Sequence, residues 1–441
     1  MNQVLPTMQQ FSKANIGSIL DLAMEADVDA ATLSGDAAHQ HALTVVKMLK
    51  ESVDIASHQP ESFVAVKITA LVPPIVLQRW SNTLTLLKQL VNEMSSNDRI
   101  SFEQFVTLSK AFPKLKGDTA KTLFSLADTD RDGFIDWIDL TEMFSIHRGK
   151  EAAIYLTRDD VADASVPVYK QLAAVEDIET AELTIKAVDE LCSHANQGKV
   201  RIMMDAEQTY FQPAIDDVSL GFCHKWNLPI GVDTTDAIKN PHKLSGPLIF
   251  NTYQLYLKDG HNRLKQDHKR AQRLGYTFGV KIVRGAYMVS ERLRAKKLGL
   301  PDPINETLQD THKSYNTSIA YLIAQMPPRA PSKVLPVSFV VASHNKESVT
   351  VATDLMRQYK VQPRDGSVSF AQLMGMQDAT AYGLASHGFS TYKYIPYGPI
   401  EVTIPYLQRR AQENSAVLGA VGEDKRNLIK ELKVRFGLAK E

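Results

Sequence analysis

The residues best suited to chemistry lie in one stretch, YIPYGPIEVTIPYLQRRAQE, running from Tyr394 to Glu413. After a proline-rich turn at 396–399, the sequence from about Val402 reads as helix. Tyr406, Arg409, Arg410 and Glu413 then recur at offsets of three and four, on one broad face. A guanidinium pair there can hold a carboxylate through bidentate hydrogen bonds, and a glutamate one turn on can meet an amine. Together they describe a clamp for an amino acid. The other reading of such a group is a solvated ion pair on a surface helix, where it contributes little, so the rest of the chain decides between them.

Other chemistries find little support. No G-x-G occurs, which removes the usual dinucleotide fingerprint and the kinase glycine loop, and the G-x-x-x-x-G-K-[ST] phosphate loop is absent as well. No H-E-x-x-H or G-x-S-x-G is present either, so zinc-protease and serine-hydrolase chemistry have no foothold. Fifty basic residues balance fifty acidic ones, so no global field argues for nucleic acid. Only Cys192 and Cys223 occur, which excludes a disulfide framework and suits a reducing compartment. No run of about 18 apolar residues is found, so nothing in the sequence reads as a membrane-spanning helix.

The elements that must position the clamp are short, apolar, β-branched segments with helical stretches between them. They fall at 17–22, 63–71, 200–206, 248–253, 280–283, 337–342, 368–373 and 391–395. Strands alternating with helices form parallel β/α units, and eight of them predict a distorted (β/α)8 TIM-like barrel of the α/β class. Polar residues cluster at the C-terminal ends of these strands, the active face of such barrels.

One spacing is anomalous, because about 130 residues separate the second strand from the third. Within that gap the segment DTDRDGFIDWID at 128–139 matches a calcium-binding EF-hand loop at positions 1, 3, 5, 6, 8 and 9. Asp128, Asp130 and Asp132 offer carboxylates, Gly133 the turn, Phe134 a backbone carbonyl and Ile135 the apolar anchor. At the last position Asp139 replaces the usual glutamate, which weakens bidentate ligation and admits Mg2+ as well as Ca2+. Residues 93–104, EMSSNDRISFEQ, share the hydrophobic frame without the carboxylates and read as a degenerate partner loop. The expected organisation is therefore a first part of the barrel at 1–82, an all-α EF-hand pair at 83–148, and the remaining barrel with C-terminal helices at 149–441.

The blocks VAVKITAL at 64–71, RIMMDAEQTYFQPAID at 201–216, NTYQLYLKD at 251–259, KIVRGAYM at 281–288, ASHN at 342–345 and AQLMGM at 371–376, followed by YIPYGP and PYLQRRAQEN, share one order along the chain. In that order the sequence resembles the proline dehydrogenase family, its eukaryotic mitochondrial branch best, from about residue 17 to 420. The resemblance implies FAD as cofactor, L-proline as substrate, 1-pyrroline-5-carboxylate as product through hydride transfer to the flavin N5, and quinone as electron acceptor. It also implies a mitochondrial address on the matrix side of the inner membrane. The first thirty residues, with Lys13 as their one basic residue, have the wrong balance for a presequence.

On the same resemblance, Arg409, Arg410 and Lys67 neutralise the substrate carboxylate, Glu413 lies near the amine, and Tyr287, Leu373, Tyr394 and Tyr406 wall the ring. Tyr394 would crowd a ring hydroxyl and so favour proline over 4-hydroxyproline. Gln254, Lys281, Arg284, Gly285, Ala286, Ser343 and His344 would line the cofactor. Lys281 stands where bacterial relatives tend to have arginine, keeping the charge but losing the planar fork. Asp205 and Lys281 are the candidates closest to the reaction. Asp205, and Glu207 with it, is expected to orient a cation rather than take a proton. The tail at 424–436, with Leu428, Leu432 and Phe436 on one stripe among cations, could dock on an anionic membrane or pack on the barrel. Two rival readings remain: a hydroxyproline dehydrogenase on the same fold, and a non-catalytic calcium-binding barrel scaffold.

Overall fold

The computed structural model describes residues 4–23, 35–59, 61–95, 99–112, 114–115, 117–148, 150–158, 171–227, 244, 246–326, 336–413, 429–430 and 432–436, with side chains described except at 402, 406 and 409–413. Eight strands close into a parallel barrel: β1 (Ile16–Leu22), β2 (Phe63–Val66), β5 (Arg201–Met204), β6 (Ile249–Gln254), β7 (Phe278–Val283), β8 (Val337–Ala342), β9 (Val368–Leu373) and β10 (Ser390–Tyr397). Around the barrel the order is β1-β10-β9-β8-β7-β6-β5-β2. All eight coincide with strands expected from the sequence. The second is shorter than expected, because the chain leaves the ladder at Lys67 and coils into a 3-10 turn, Ile68–Ala70, ahead of two prolines.

The period of two along each strand sorts the side chains. Ile19, Phe63, Met203, Phe250, Val340, Ala371 and Tyr392 form one cluster inside the barrel, with Tyr394 partly buried against it. The much larger cluster outside lies between strands and helices. Gly17 belongs to the inner layer for want of room. A Cβ there would stand 2.4 Å from the Tyr392 ring. The same parity carries Asp21, Lys67, Asp205, Gln254, Lys281, Leu373 and Tyr394 inward at the C-terminal ends of their strands.

Between β2 and β5 the chain makes two helix-loop-helix segments. The first runs from helix Pro74–Met94 to Phe102–Ser109, the second from Asp118–Ala127 to Trp137–Phe144. The insert is not all helical as expected. Strands β3 (Arg99–Ser101) and β4 (Phe134–Asp136) pair antiparallel, joining the loops through Ile100 and Ile135, both fully buried. Residue 83 lies inside the long helix Pro74–Met94, so the insert grows out of a helix whose Trp80 belongs to the barrel. That indole and the returning backbone N–H of Ile146 both donate to Asp217, at 2.9 and 3.1 Å. One buried carboxylate thus fastens the insert where it leaves and where it returns.

Candidate functional site

At the barrel mouth Asp205 is the centre. It follows β5, is buried, and meets the ammonium of Lys281 from β7 in a short contact. The Lys67 ammonium lies 3.6 Å away, and the Tyr394 hydroxyl donates to it at 3.0 Å. Lys67 in turn donates to Asp21 at 2.5 Å. Burial alone would raise the Asp205 carboxyl, but the Lys281 and Lys67 charges and the two hydrogen bonds outweigh it and hold it below the usual carboxylate range. Two lysines and two aspartates thus neutralise one another, which is what makes four charges tolerable in so dry a place. Lys281 also stands over the Tyr394 ring, 5.4 Å from its centroid, fixing the tyrosine face.

A second group links the ends of β2, β5 and β6. Glu207 accepts from the Thr69 hydroxyl at 2.6 Å and the Thr69 N–H at 3.2 Å. Its backbone carbonyl accepts from the Gln254 amide at 2.7 Å, while the Gln254 carbonyl takes the Ala286 N–H at 3.4 Å. Both ends of Gln254 are oriented, and each keeps capacity for one more hydrogen bond. Burial pushes the Glu207 carboxyl up to about 7, against the opposing pull of the Thr69 hydrogen bonds and of Lys67.

The third group lies between β7 and β8. Arg284 donates to Ser343 at 2.6 Å, Ser348 at 2.9 Å and His312 at 3.1 Å, and lies 4.4 Å from the Tyr315 ring. None of these hydrogen-bond partners is a carboxylate, and burial lowers the guanidinium pKa. Gly285 has φ +143°, and a Cβ there would collide with the Tyr256 ring at 2.3 Å. The Tyr256 hydroxyl takes the Tyr287 N–H at 3.3 Å, so this tyrosine braces the whole turn at 284–287. His344 accepts the Leu373 N–H at 3.0 Å through Nε2, joining the ends of β8 and β9. Lys393, fully buried behind β10, donates to the Met376 carbonyl at 2.7 Å and pairs with Asp378 at 2.6 Å, pinning the loop that follows Leu373.

Of the residues singled out in the sequence, Lys67, Asp205, Lys281 and Tyr394 thus meet directly, Gln254 joins Ala286, and Arg284 joins Ser343. Tyr406, Arg409, Arg410 and Glu413 lie on the helix Ile400–Glu413, which starts directly after β10, and their side chains fall outside the described residues. Asp21 escaped sequence reasoning. Its signal is one acid inside the apolar run IGSILDL, at inward parity.

In the insert, Asp128, Asp130 and Asp132 bring carboxylate oxygens within 4.8 Å of one another. Asp128 accepts the N–H groups of Asp132 and Gly133 at 3.1 and 3.0 Å, and Asp132 accepts that of Phe134 at 3.0 Å. Asp139 does not join them. It accepts the Asp136 N–H at 2.8 Å in a reciprocal helix cap and pairs with Arg273 of the barrel at 3.0 Å. Burial and the neighbouring Asp136 push it up to about 6, with Arg273 opposing. Arg99, from the other loop, makes a short ion pair with Asp132. Of the tail stripe, Leu428 lies outside the described residues, while Leu432 and Phe436 are exposed.

Arg284 is a half-buried cation whose hydrogen-bond partners among the described residues are neutral, and Gly285 and Ala286 bring backbone beside it, so this part of the mouth could hold an anionic group. Comparison with known proteins shows what the whole chain resembles. Residues 4–423 match the proline dehydrogenase family model. The Caenorhabditis elegans mitochondrial proline dehydrogenase 1 is 35% identical over 397 residues, 88% of this chain and 61% of that protein. The Homo sapiens enzyme of that name is 32% identical over 84% of this chain and 60% of its own length. A Bos taurus hydroxyproline dehydrogenase is 37% identical, over 58% of this chain and 51% of that protein. The chain thus spans about six-tenths of the length of its mitochondrial relatives. Proline utilization A from Bdellovibrio bacteriovorus, inactivated by N-propargylglycine, shares the fold with a TM-score of 0.58 at 16% identity, covering 94% of this chain and 31% of that one. A closed eight-stranded barrel, motifs gathered at its C-terminal mouth and a family match over nearly the whole sequence lead to one conclusion: this chain belongs to the proline dehydrogenase family.

Proposed function

We propose that this protein oxidises L-proline to 1-pyrroline-5-carboxylate in the barrel mouth, with FAD as cofactor and quinone as the final acceptor, in the mitochondrion on the matrix side of the inner membrane. The observation that carries this reading is the charged cluster of Lys67, Asp205, Lys281 and Tyr394, held in a buried mouth in a chain of this family. Bound FAD supplies the hydride acceptor. Gln254, Lys281, Arg284, Gly285, Ala286, Ser343 and His344 would hold it, with Arg284 providing the cation whose present partners leave an anion wanting. Lys67, Arg409 and Arg410 would neutralise the substrate carboxylate, with Glu413 near the amine. Asp205 stays ionised and acts by fixing Lys67, Lys281 and Tyr394. Tyr287, Leu373, Tyr394 and Tyr406 would exclude water from the ring.

The visible spectrum of the purified protein, recorded before and after anaerobic addition of L-proline, tests this. Bleaching of a flavin spectrum supports it, and a colourless protein that cannot be reconstituted with FAD overturns it in favour of the scaffold. The hydroxyproline reading draws on the 37% identity to the bovine enzyme. It predicts faster bleaching by 4-hydroxyproline, which Tyr394 opposes. The insert, at about 83–148, is read as an EF-hand pair whose second loop takes Ca2+ or Mg2+ through Asp128, Asp130, Asp132 and the Phe134 carbonyl, with Asp139 contributing only if it leaves its cap. A calcium titration followed by calorimetry tests that part separately.

A further inference from the structure

A surface helix normally turns its apolar stripe toward the core. The helix Met288–Leu298, which starts directly after the mouth turn at 284–287, does the reverse. Its buried positions are Glu291, 2% exposed, and Ala295. Glu291 is drawn inward by Thr209, whose N–H and hydroxyl donate to it at 2.6 and 2.7 Å. At about 100° per residue, Val289 and Leu293 lie nearly opposite those two, and they are 69% and 64% exposed. Leu300, just past the helix, is 50% exposed. Around this outward apolar stripe lie Arg292, Lys296 and Lys297, all exposed. The helix's one acid is the buried Glu291, and Asp302 beyond it is tied to Arg292 at 3.1 Å.

We infer that this helix docks the protein on an anionic lipid bilayer. Aliphatic side chains aimed outward between cations are the pattern of a helix lying in a membrane interface, with the stripe among the acyl chains and the lysines among the headgroups. Charge complementarity selects an anionic surface, since no exposed acid interrupts the helix. The inference deepens the quinone part of the proposed function, because it brings the lipid phase beside the mouth turn that carries Arg284 and Tyr287.

The test is co-sedimentation of the whole protein with vesicles of mixed phosphatidylglycerol and phosphatidylcholine, without proline. The wild type binds, and the double variant Val289→Ser with Leu293→Ser binds roughly tenfold more weakly. Lys296→Gln with Lys297→Gln weakens binding by roughly fivefold per lysine, an effect that high salt removes. Proline oxidation with a soluble dye is unchanged in both variants, which shows that they fold. Absent wild-type binding, or equal binding by the serine variant, overturns the inference. So does conversion of a dimer to a monomer by the serine variant with vesicle binding intact, which would make the stripe a contact between copies. A protein that binds vesicles but does not oxidise proline overturns the proposed function alone.

Discussion

The barrel mouth and the insert loop both gather acids, yet they treat them in opposite ways. In the mouth, Asp21 and Asp205 are buried and matched by Lys67 and Lys281. In the loop, Asp128, Asp130 and Asp132 lie at the surface with their oxygens together, and among the described ion pairs the cation on them is Arg99, bound to Asp132. Charges buried this deeply are tolerable only when paired, so these four groups neutralise one another before any ligand arrives. An exposed loop has water as its counterpart and can keep unbalanced charge for an ion. The mouth is therefore organised for positioning, the loop is proposed above as a place that takes an ion, and substitutions should separate the two.

The largest effect is expected at Asp205. Asp205→Asn leaves Lys67 and Lys281 facing each other with their shared counter-charge removed, and breaking a buried pair in this way costs about 3–5 kcal/mol. Flavin reduction by proline should fall by roughly a hundredfold or more, and the melting temperature should drop by several degrees. Asp130→Asn in the loop should change neither. Equal effects from the two substitutions would erase the distinction.

Glu207 comes next, and its sign differs from that of Asp205. Its folded-state value of about 7 lies above the ordinary 4.5. The stability that it contributes is therefore complete below about pH 4.5 and is lost as pH rises through about 7, an order-of-magnitude loss of about 3 kcal/mol. Glu207→Gln does not titrate, so between pH 5 and 8 the wild type should lose several degrees of melting temperature relative to the variant. Parallel curves would show that Thr69 and Lys67 already hold Glu207 ionised. Arg284→Met is expected to be milder for the fold and specific for the cofactor. Losing charged hydrogen bonds worth about 1.5–3 kcal/mol should weaken FAD retention by roughly ten- to a hundredfold, read as the ratio of flavin to protein absorbance after purification.

What the sequence disclosed depended on whether a feature was local. The eight barrel strands were legible because β-branched runs such as VSFVV and FVAV carry their own signal, and Lys67 and Asp205 were legible because they end such runs. Asp21 was not, since its pairing with Lys67 exists only once β1 and β2 lie side by side. Asp139 was placed by loop spacing, but the same spacing from Asp136 makes a reciprocal helix cap, and Arg273 from a distant helix secures it there. The outward stripe at Val289 and Leu293 was hidden for the same reason. Periodicity tells which residues share a face, and only tertiary packing tells which face is buried.

The smallest effect concerns the loop, where one substitution should improve binding. Arg99 and Asp132 form a surface ion pair, and each raises the ionised character of the other: hydrogen bonding holds Asp132 below its ordinary value and Arg99 above. A metal at the loop must take the Asp132 carboxylate from that guanidinium. Arg99→Gln should therefore tighten calcium binding by roughly two- to fivefold, the range for an exposed pair. Asp130→Ala should weaken the binding, because it removes a ligand oxygen that asparagine would keep. Calorimetric titration of the three proteins reads both changes. A loss of affinity on Arg99→Gln would mean that the arginine shapes the loop through the ribbon at Ile100 and Ile135 rather than competing for its charge.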